Sequence, residues 1–315
     1  MEPTDVLVLD QPIHGMSPAE YRRLLEDRLP NRRIELAATP SEIAAHSEQA
    51  TVMTGYEIAA ETVAEANELE LFACTYAGTD HLPLAAFKEN GVKVTNASGV
   101  HAPNAAEQVL AVVLSFTRHL DEGWHMSRKG SWSHYWASEL QGSTVTVVGM
   151  GAIGTAILDR LSPFGVERIG IRHTPSKGGP AASVRGFDDF DETLPETDYL
   201  VLACPLTETT RGLVDETALE LLPPDAVLVN IARGPVVDTD ALVASLKTNG
   251  LRGAALDVTA PEPLPDGHPL WNLDNVLITP HNAGHTPKYW ERRADILVEN
   301  VERLVDGREL ENLAY

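Results

Sequence analysis

Arg233, Glu262 and His281 are the side chains best suited to chemistry, and each follows a strand-like run. The first closes Leu228-Val229-Asn230-Ile231-Ala232-Arg233-Gly234. The second lies in Leu256-Asp257-Val258-Thr259-Ala260-Pro261-Glu262-Pro263, and the third in Thr279-Pro280-His281-Asn282-Ala283-Gly284-His285-Thr286. Strand ends of an open parallel sheet face one ligand crevice, so the three stretches are able to converge. Reducing a 2-keto acid needs a cation for the carboxylate and carbonyl, and a proton donor that works near neutral pH. The bidentate fork of Arg233 suits the first role, and the His281 imidazole suits the second. Glu262 would pair with that imidazole and fix its tautomer. Taken singly, Arg233 reads equally well as a surface ion pair, His281 as a turn residue and Glu262 as a solvated loop charge. Their order behind a dinucleotide fingerprint gives the set its weight.

That fingerprint is residues 145–154, Val-Thr-Val-Val-Gly-Met-Gly-Ala-Ile-Gly. A β-branched run enters Gly149, Gly151 and Gly154, spaced G-x-G-x-x-G, and a helical pattern starts at Ala152-Ile153. The spacing gives a tight turn at Gly149, room for a pyrophosphate at Gly151 and close helix–strand packing at Gly154. The helix start adds free N–H groups and partial positive charge. In an NAD site an acidic residue about 20 positions on holds the ribose 2′-OH. Here the second strand ends Ile171-Arg172-His173-Thr174, with Arg172 at the acidic position. A guanidinium grips a 2′-phosphate, and His173, Thr174, Ser176 and Lys177 lie close by. The reading is NADP(H) in preference to NAD(H).

The elements that must position these residues follow from periodicity. Strands are predicted at 6–9, 34–37, 51–54, 71–75 and 92–96. Helices are predicted at 41–46, 58–66 and 84–90, and from a Ser17–Glu20 capping box with Pro18 at its first position to about residue 29. A long helix at 103–119 gives way to Trp124, Trp132, Tyr135 and Trp136 among Ser and Gly. This stretch reads as an arm packed on another subunit or domain. The second alternation places strands at 144–148, 168–172, 199–204, 226–231, 251–256 and 276–279. Helices are expected at 152–164, 216–222, 238–248 and 287–305. Such alternation argues for parallel sheets with helices on both faces.

The 315 residues carry 46 Asp+Glu against 24 Lys+Arg, a formal net charge of −22, which makes nucleic acid and anionic lipid poor partners. An acidic, lysine-poor chain points to a halophilic source, where molar salt shortens the Debye length to about 3 Å. No apolar stretch is long enough to span a bilayer, and the acidic start lacks the features of a signal peptide. Cys74 and Cys204 sit in apolar runs and read as buried thiols of a cytoplasmic protein, with no metal-ligand spacing.

The chain also resembles the D-isomer-specific 2-hydroxyacid dehydrogenases. The resemblance is carried by Tyr76-Ala77-Gly78-Thr79-Asp80-His81, the fingerprint, Cys204-Pro205-Leu206-Thr207, the Arg233 and Glu262 stretches, and Pro280–Gly284. It implies an α/β protein of two doubly wound parallel-sheet domains. A flavodoxin-like substrate domain would comprise 1–98 and 286–315, and a Rossmann cofactor domain 99–285. It gives Arg233, Glu262 and His281 the catalytic roles above. It brings the Ala77 and Gly78 N–H groups to the substrate carboxylate, with Tyr76 shaping the pocket and Asn104 near the crevice. Pro205, Leu206, Thr207 and Gly284 would contact the cofactor, while Asp257 and the Ile231 carbonyl would hold the nicotinamide carboxamide. The implied activity is reduction of a 2-keto acid to a D-2-hydroxy acid, in a homodimer. A glyoxylate/hydroxypyruvate reductase or phosphoglycerate dehydrogenase of the same fold, and a nucleotide-sensing corepressor, remain the alternatives.

Overall fold

The computed structural model describes residues 5–13 and 15–314. The chain begins β1 (Val6–Leu9), α1 (Pro18–Arg28), β2 (Ile34–Ala37), α2 (Pro40–Ser47), β3 (Val52–Gly55), α3 (Ala60–Glu65) and β4 (Leu71–Cys74). It continues with α4 (Leu84–Glu89), β5 (Lys93–Thr95), α5 (Ala102–Arg118), α6 (Leu120–Arg128), β6 (Thr144–Val148), α7 (Ala152–Leu161) and β7 (Glu167–Ile171). Next come β8 (Ser183–Arg185), α8 (Phe190–Thr193), β9 (Tyr199–Leu202), α9 (Glu216–Leu221) and β10 (Val227–Asn230). The chain closes with α10 (Thr239–Lys247), β11 (Gly253–Leu256), β12 (Val276–Ile278) and α11 (Tyr289–Val305).

Two units result, one of Met1–Val100 with Thr286–Tyr315 and the other of His101–His285. The first holds a five-stranded sheet in the order β2-β1-β3-β4-β5, every pair parallel. Alternation along each strand sends Val6, Val8 and Val52 to one face, against α1 and α11. Leu7, Leu9 and Met53 go to the other face. Ser17 caps α1 by accepting from the Ala19 N–H at 3.2 Å, with Pro18 in the first turn. The reciprocal box expected there forms instead at α2. Its Thr39 hydroxyl accepts from Glu42 N, and the Glu42 carboxylate accepts from Thr39 N and Ala38 N.

The second unit holds a seven-stranded, all-parallel sheet in the order β12-β11-β10-β9-β6-β7-β8. Strand order reverses between β6 and β9, the switch point where open α/β sheets bind ligands at their carboxyl ends. Leu200, Leu202 and Leu228 face one core, and Val145, Val147, Val201 and Val229 the other. Both doubly wound parallel sheets are as the sequence implied. Two details differ from expectation. The edge strand β8 has no apolar alternation, and its three residues are only half buried. The aromatic segment begins as a helix, α6, none of whose residues is buried.

Candidate active site

The fingerprint turn follows β6. Gly149 has φ +97°, and a Cβ there would come within 2.6 Å of the Cys204 backbone. A Cβ on Gly154 would lie 1.9 Å from the Gly149 carbonyl oxygen, so only glycine lets α7 start this close to β6. Around Gly151, the N-cap of α7, a Cβ would meet nothing within 4 Å. The open space lies where a pyrophosphate would approach the backbone. A cavity of about 300 Å³ is lined by Gly149, Gly151, Arg172, His173, Thr174, Lys177, Pro205 and Thr207. Arg172 is steadied by donating from Nη1 to the Gly178 carbonyl at 2.7 Å. The 205–210 turn is tied by Thr210, whose hydroxyl donates to Pro205 O at 2.6 Å and accepts from Thr207 N at 2.8 Å. Nothing local in the sequence marks Thr210 for this role. Leu206 packs toward the core instead of lining the cavity. Ala152 and Ile153 form the first turn of α7, and the Ile153 side chain also packs on the core.

The loops after β10, β11 and β12, three neighbouring strands, carry Arg233, Glu262 and His281. Buried Asn230 shapes the first loop, accepting from Ala232 N at 3.0 Å and donating to Arg233 O at 3.2 Å. Gly234 lets this loop close on the second. A Cβ there would lie 2.0 Å from Thr259 O, in the stretch that leads to Glu262. Arg233 is exposed and makes no ion pair among the described residues; its Nη1 donates to Ala232 O at 2.6 Å. Its fork is therefore open to an anion.

Glu262 and His281 meet directly, Nδ1 to Oε1, at 2.6 Å. The pair borders a cavity of about 520 Å³ whose apolar wall includes Leu264 and Trp271. His281 has φ +51°, a left-handed conformation uncommon outside glycine and often found at functional positions. Asp257 holds it there. Only 5% exposed, its carboxylate accepts from the Thr279 hydroxyl, from Asn282 N at 2.8 Å and from Ala283 N at 2.9 Å. This bracing links residues 22 to 26 positions apart and leaves no local mark in the sequence. Asn104 also acts on the backbone: its amide donates to Ala283 O at 2.7 Å and His285 O at 3.4 Å. Asn104, expected near the crevice, thus supports the loop that follows His281. Gly284 lies beside the His101 ring, not in the fingerprint cavity. The Ile231 carbonyl accepts no hydrogen bond among the described residues.

In the other unit, the loop after β4 exposes Tyr76, Ala77 and Gly78. Neither the Ala77 nor the Gly78 N–H has an acceptor among the described residues. Tyr76 stands edge-on to Tyr56, with ring centroids 4.9 Å apart, and His81 stacks on the same Tyr56 at 4.3 Å.

Fold and site together define a dinucleotide-binding α/β protein with an imidazole–carboxylate pair at the carboxyl ends of its sheet. The model of the D-isomer specific 2-hydroxyacid dehydrogenase, NAD binding domain, matches residues 110–283. The glyoxylate reductase of Thermofilum pendens is 35% identical over 260 residues, 80% of this chain and 76% of that protein. Two crystal structures superpose along nearly the whole chain. The D-isomer specific 2-hydroxyacid dehydrogenase family protein of Aeromonas salmonicida has a TM-score of 0.81 and 30% identity, covering 99% of both chains. The D-isomer specific 2-hydroxyacid dehydrogenase of Xanthobacter autotrophicus Py2, solved with NADPH and MES, has a TM-score of 0.80 and 29% identity, covering 99% of this chain and 98% of that one. The chain belongs to the D-isomer specific 2-hydroxyacid dehydrogenase family, and as a member it is an NAD(P)-dependent oxidoreductase.

Proposed function

We propose that the protein reduces a 2-keto acid to the D-2-hydroxy acid, with NADPH as the preferred donor. The 2.6 Å Glu262–His281 contact carries this reading. Bound nicotinamide supplies the hydride, and the fingerprint cavity fits its dinucleotide: open space at Gly151, a helix start behind it and Arg172 at the adenosine end. The chain's own residues do the rest. Glu262 engages Nδ1 and leaves Nε2 to give its proton to the substrate oxygen. Arg233 binds the substrate carboxylate and polarises the carbonyl with its open fork. Asp257 and Asn104 keep the His281 loop in place, and the Ile231 carbonyl is left to accept from the nicotinamide carboxamide. The unpaired Ala77 and Gly78 amides take the substrate carboxylate, with Tyr76 beside them.

Arg172 favours a 2′-phosphate, where an acidic residue would repel it. The exposed tryptophans of the aromatic segment, Trp124, Trp132 and Trp136, support a homodimer built on that face. The charge of −22 supports activity in high salt. Among the described residues no helix is long and apolar enough to cross a membrane. Both cysteines are free and buried, which suits a reducing cytoplasm.

The test is NADPH oxidation with short, branched and aromatic 2-keto acids, followed by chiral analysis of the product. Turnover to the D isomer is expected. NADPH binding without turnover on any of them would leave a nucleotide-sensing protein instead.

A further inference from the structure

Arg293 lies on the buried face of α11, between Tyr289 and Leu297, and is fully buried. Its Nε, Nη1 and Nη2 have no hydrogen-bond partner, and no carboxylate pairs with it among the described residues. A guanidinium stays charged at any accessible pH, and buried charges are ordinarily paired. The groups around it are neutral acids. Burial pushes Tyr21, Cys74 and Tyr289 up, and in each case the Arg293 charge opposes that rise. None of the three therefore serves as a counter-ion near neutral pH.

Two of these neighbours hold the loop after β4. The Tyr289 hydroxyl donates to Thr75 O. The Cys74 sulfur accepts from Tyr76 N at 3.4 Å and lies 3.8 Å from Gly78 O. The unpaired cation is thus one residue removed from the loop whose Ala77 and Gly78 amides are free. The chain as a whole carries −22, so an anion needs local positive potential to settle on it.

We propose that Arg293 is a positioning residue for the substrate: an uncompensated cation buried beneath residues 75–78 that makes their free amides a seat for the 2-keto acid's carboxylate. This rests on the reading of that loop given above. The cost of burying the charge is tolerated because the arriving carboxylate neutralises it.

Arg293→Met and Arg293→Lys test it by keto-acid kinetics, oxalate titration of the NADPH-loaded protein, and thermal melts. R293M should melt at or above the wild-type temperature, because an unpaired buried charge is removed. Its KM and its oxalate Kd should rise roughly tenfold, with kcat changing far less, and R293K should recover most of the anion affinity. NADPH affinity should hold in both. Wild-type oxalate affinity in R293M overturns the proposal. So does an R293M that fails to fold or melts well below wild type, since the guanidinium would then be structural. A wild type that neither reduces a keto acid nor binds oxalate overturns the underlying reading as well. A wild type that does both, matched by R293M, overturns this inference alone.

Discussion

His281 Nδ1 and a Glu262 carboxylate oxygen lie 2.6 Å apart, with both side chains half exposed. The pairing assigns the two ring nitrogens: one faces the carboxylate and the other is left for substrate. Glu262→Gln keeps the shape but lets an amide turn its nitrogen toward Nδ1, so the ring loses its fixed tautomer. Steady-state kinetics should show kcat reduced roughly 10- to 100-fold, with NADPH affinity unchanged, as expected for loss of acid–base assistance. An unaltered kcat would remove Glu262 from the mechanism.

Arg172 lines the fingerprint cavity, at the position where a carboxylate would select NADH. Arg172→Asp should reverse the ratio of kcat/KM for NADPH and NADH, while kcat with the favoured cofactor stays within a few-fold. Equal efficiency of the wild type with both cofactors would contradict the preference.

Gly234 has no room for a side chain, since a Cβ would lie 2.0 Å from Thr259 O and 2.6 Å from Ala260 N, both backbone atoms. Gly234→Ala should push the Arg233 loop away from the segment bearing Glu262. Overpacking of this kind costs about 1–3 kcal/mol. Thermal melts should show the loss of stability, and kcat/KM should fall along with it. A variant with wild-type melting and activity would show that the two loops do not depend on each other.

Gly149 and Gly154 could be read because their reasons are local, a turn and a helix start within six residues. The need for Gly234 is not legible in the sequence, because the backbone it must avoid lies 25 positions on. The resemblance points Asp257 at the cofactor, and its bracing of residues 279–283 is not legible for the same reason. The strands were readable wherever a run is buried on both faces. Edge strand β8, half exposed and polar, was not. Helix α6 was masked by Gly123 and by the lack of any buried stripe. Nothing in the sequence separates Arg293 from the other charges of the terminal helix, and only its burial sets it apart.

Cys204 lines the fingerprint cavity, and burial pushes its thiol up to about 11. At pH 8 only about one molecule in a thousand would carry the thiolate that alkylating reagents need. The folded protein should keep its activity through an hour in iodoacetamide at pH 8 and lose it once denaturant exposes the residue. The thiol also fixes a sign. The folded state keeps the proton up to about 11. The unfolded chain releases it near 8.5. Its contribution to stability is thus complete below the unfolded value and is lost as pH rises toward 11. Rapid alkylation of the native protein with loss of turnover would contradict this placement.

The central claim is that His281 delivers the proton as hydride reaches the keto carbon. Stopped-flow mixing of NADPH-loaded protein with a keto acid that the wild type turns over, in wild type and His281→Ala, measures that step in a single turnover. Wild type should consume NADPH rapidly, and His281→Ala should be slower by about 10²–10⁴ while binding NADPH as tightly. Equal single-turnover rates in the two proteins would contradict the account.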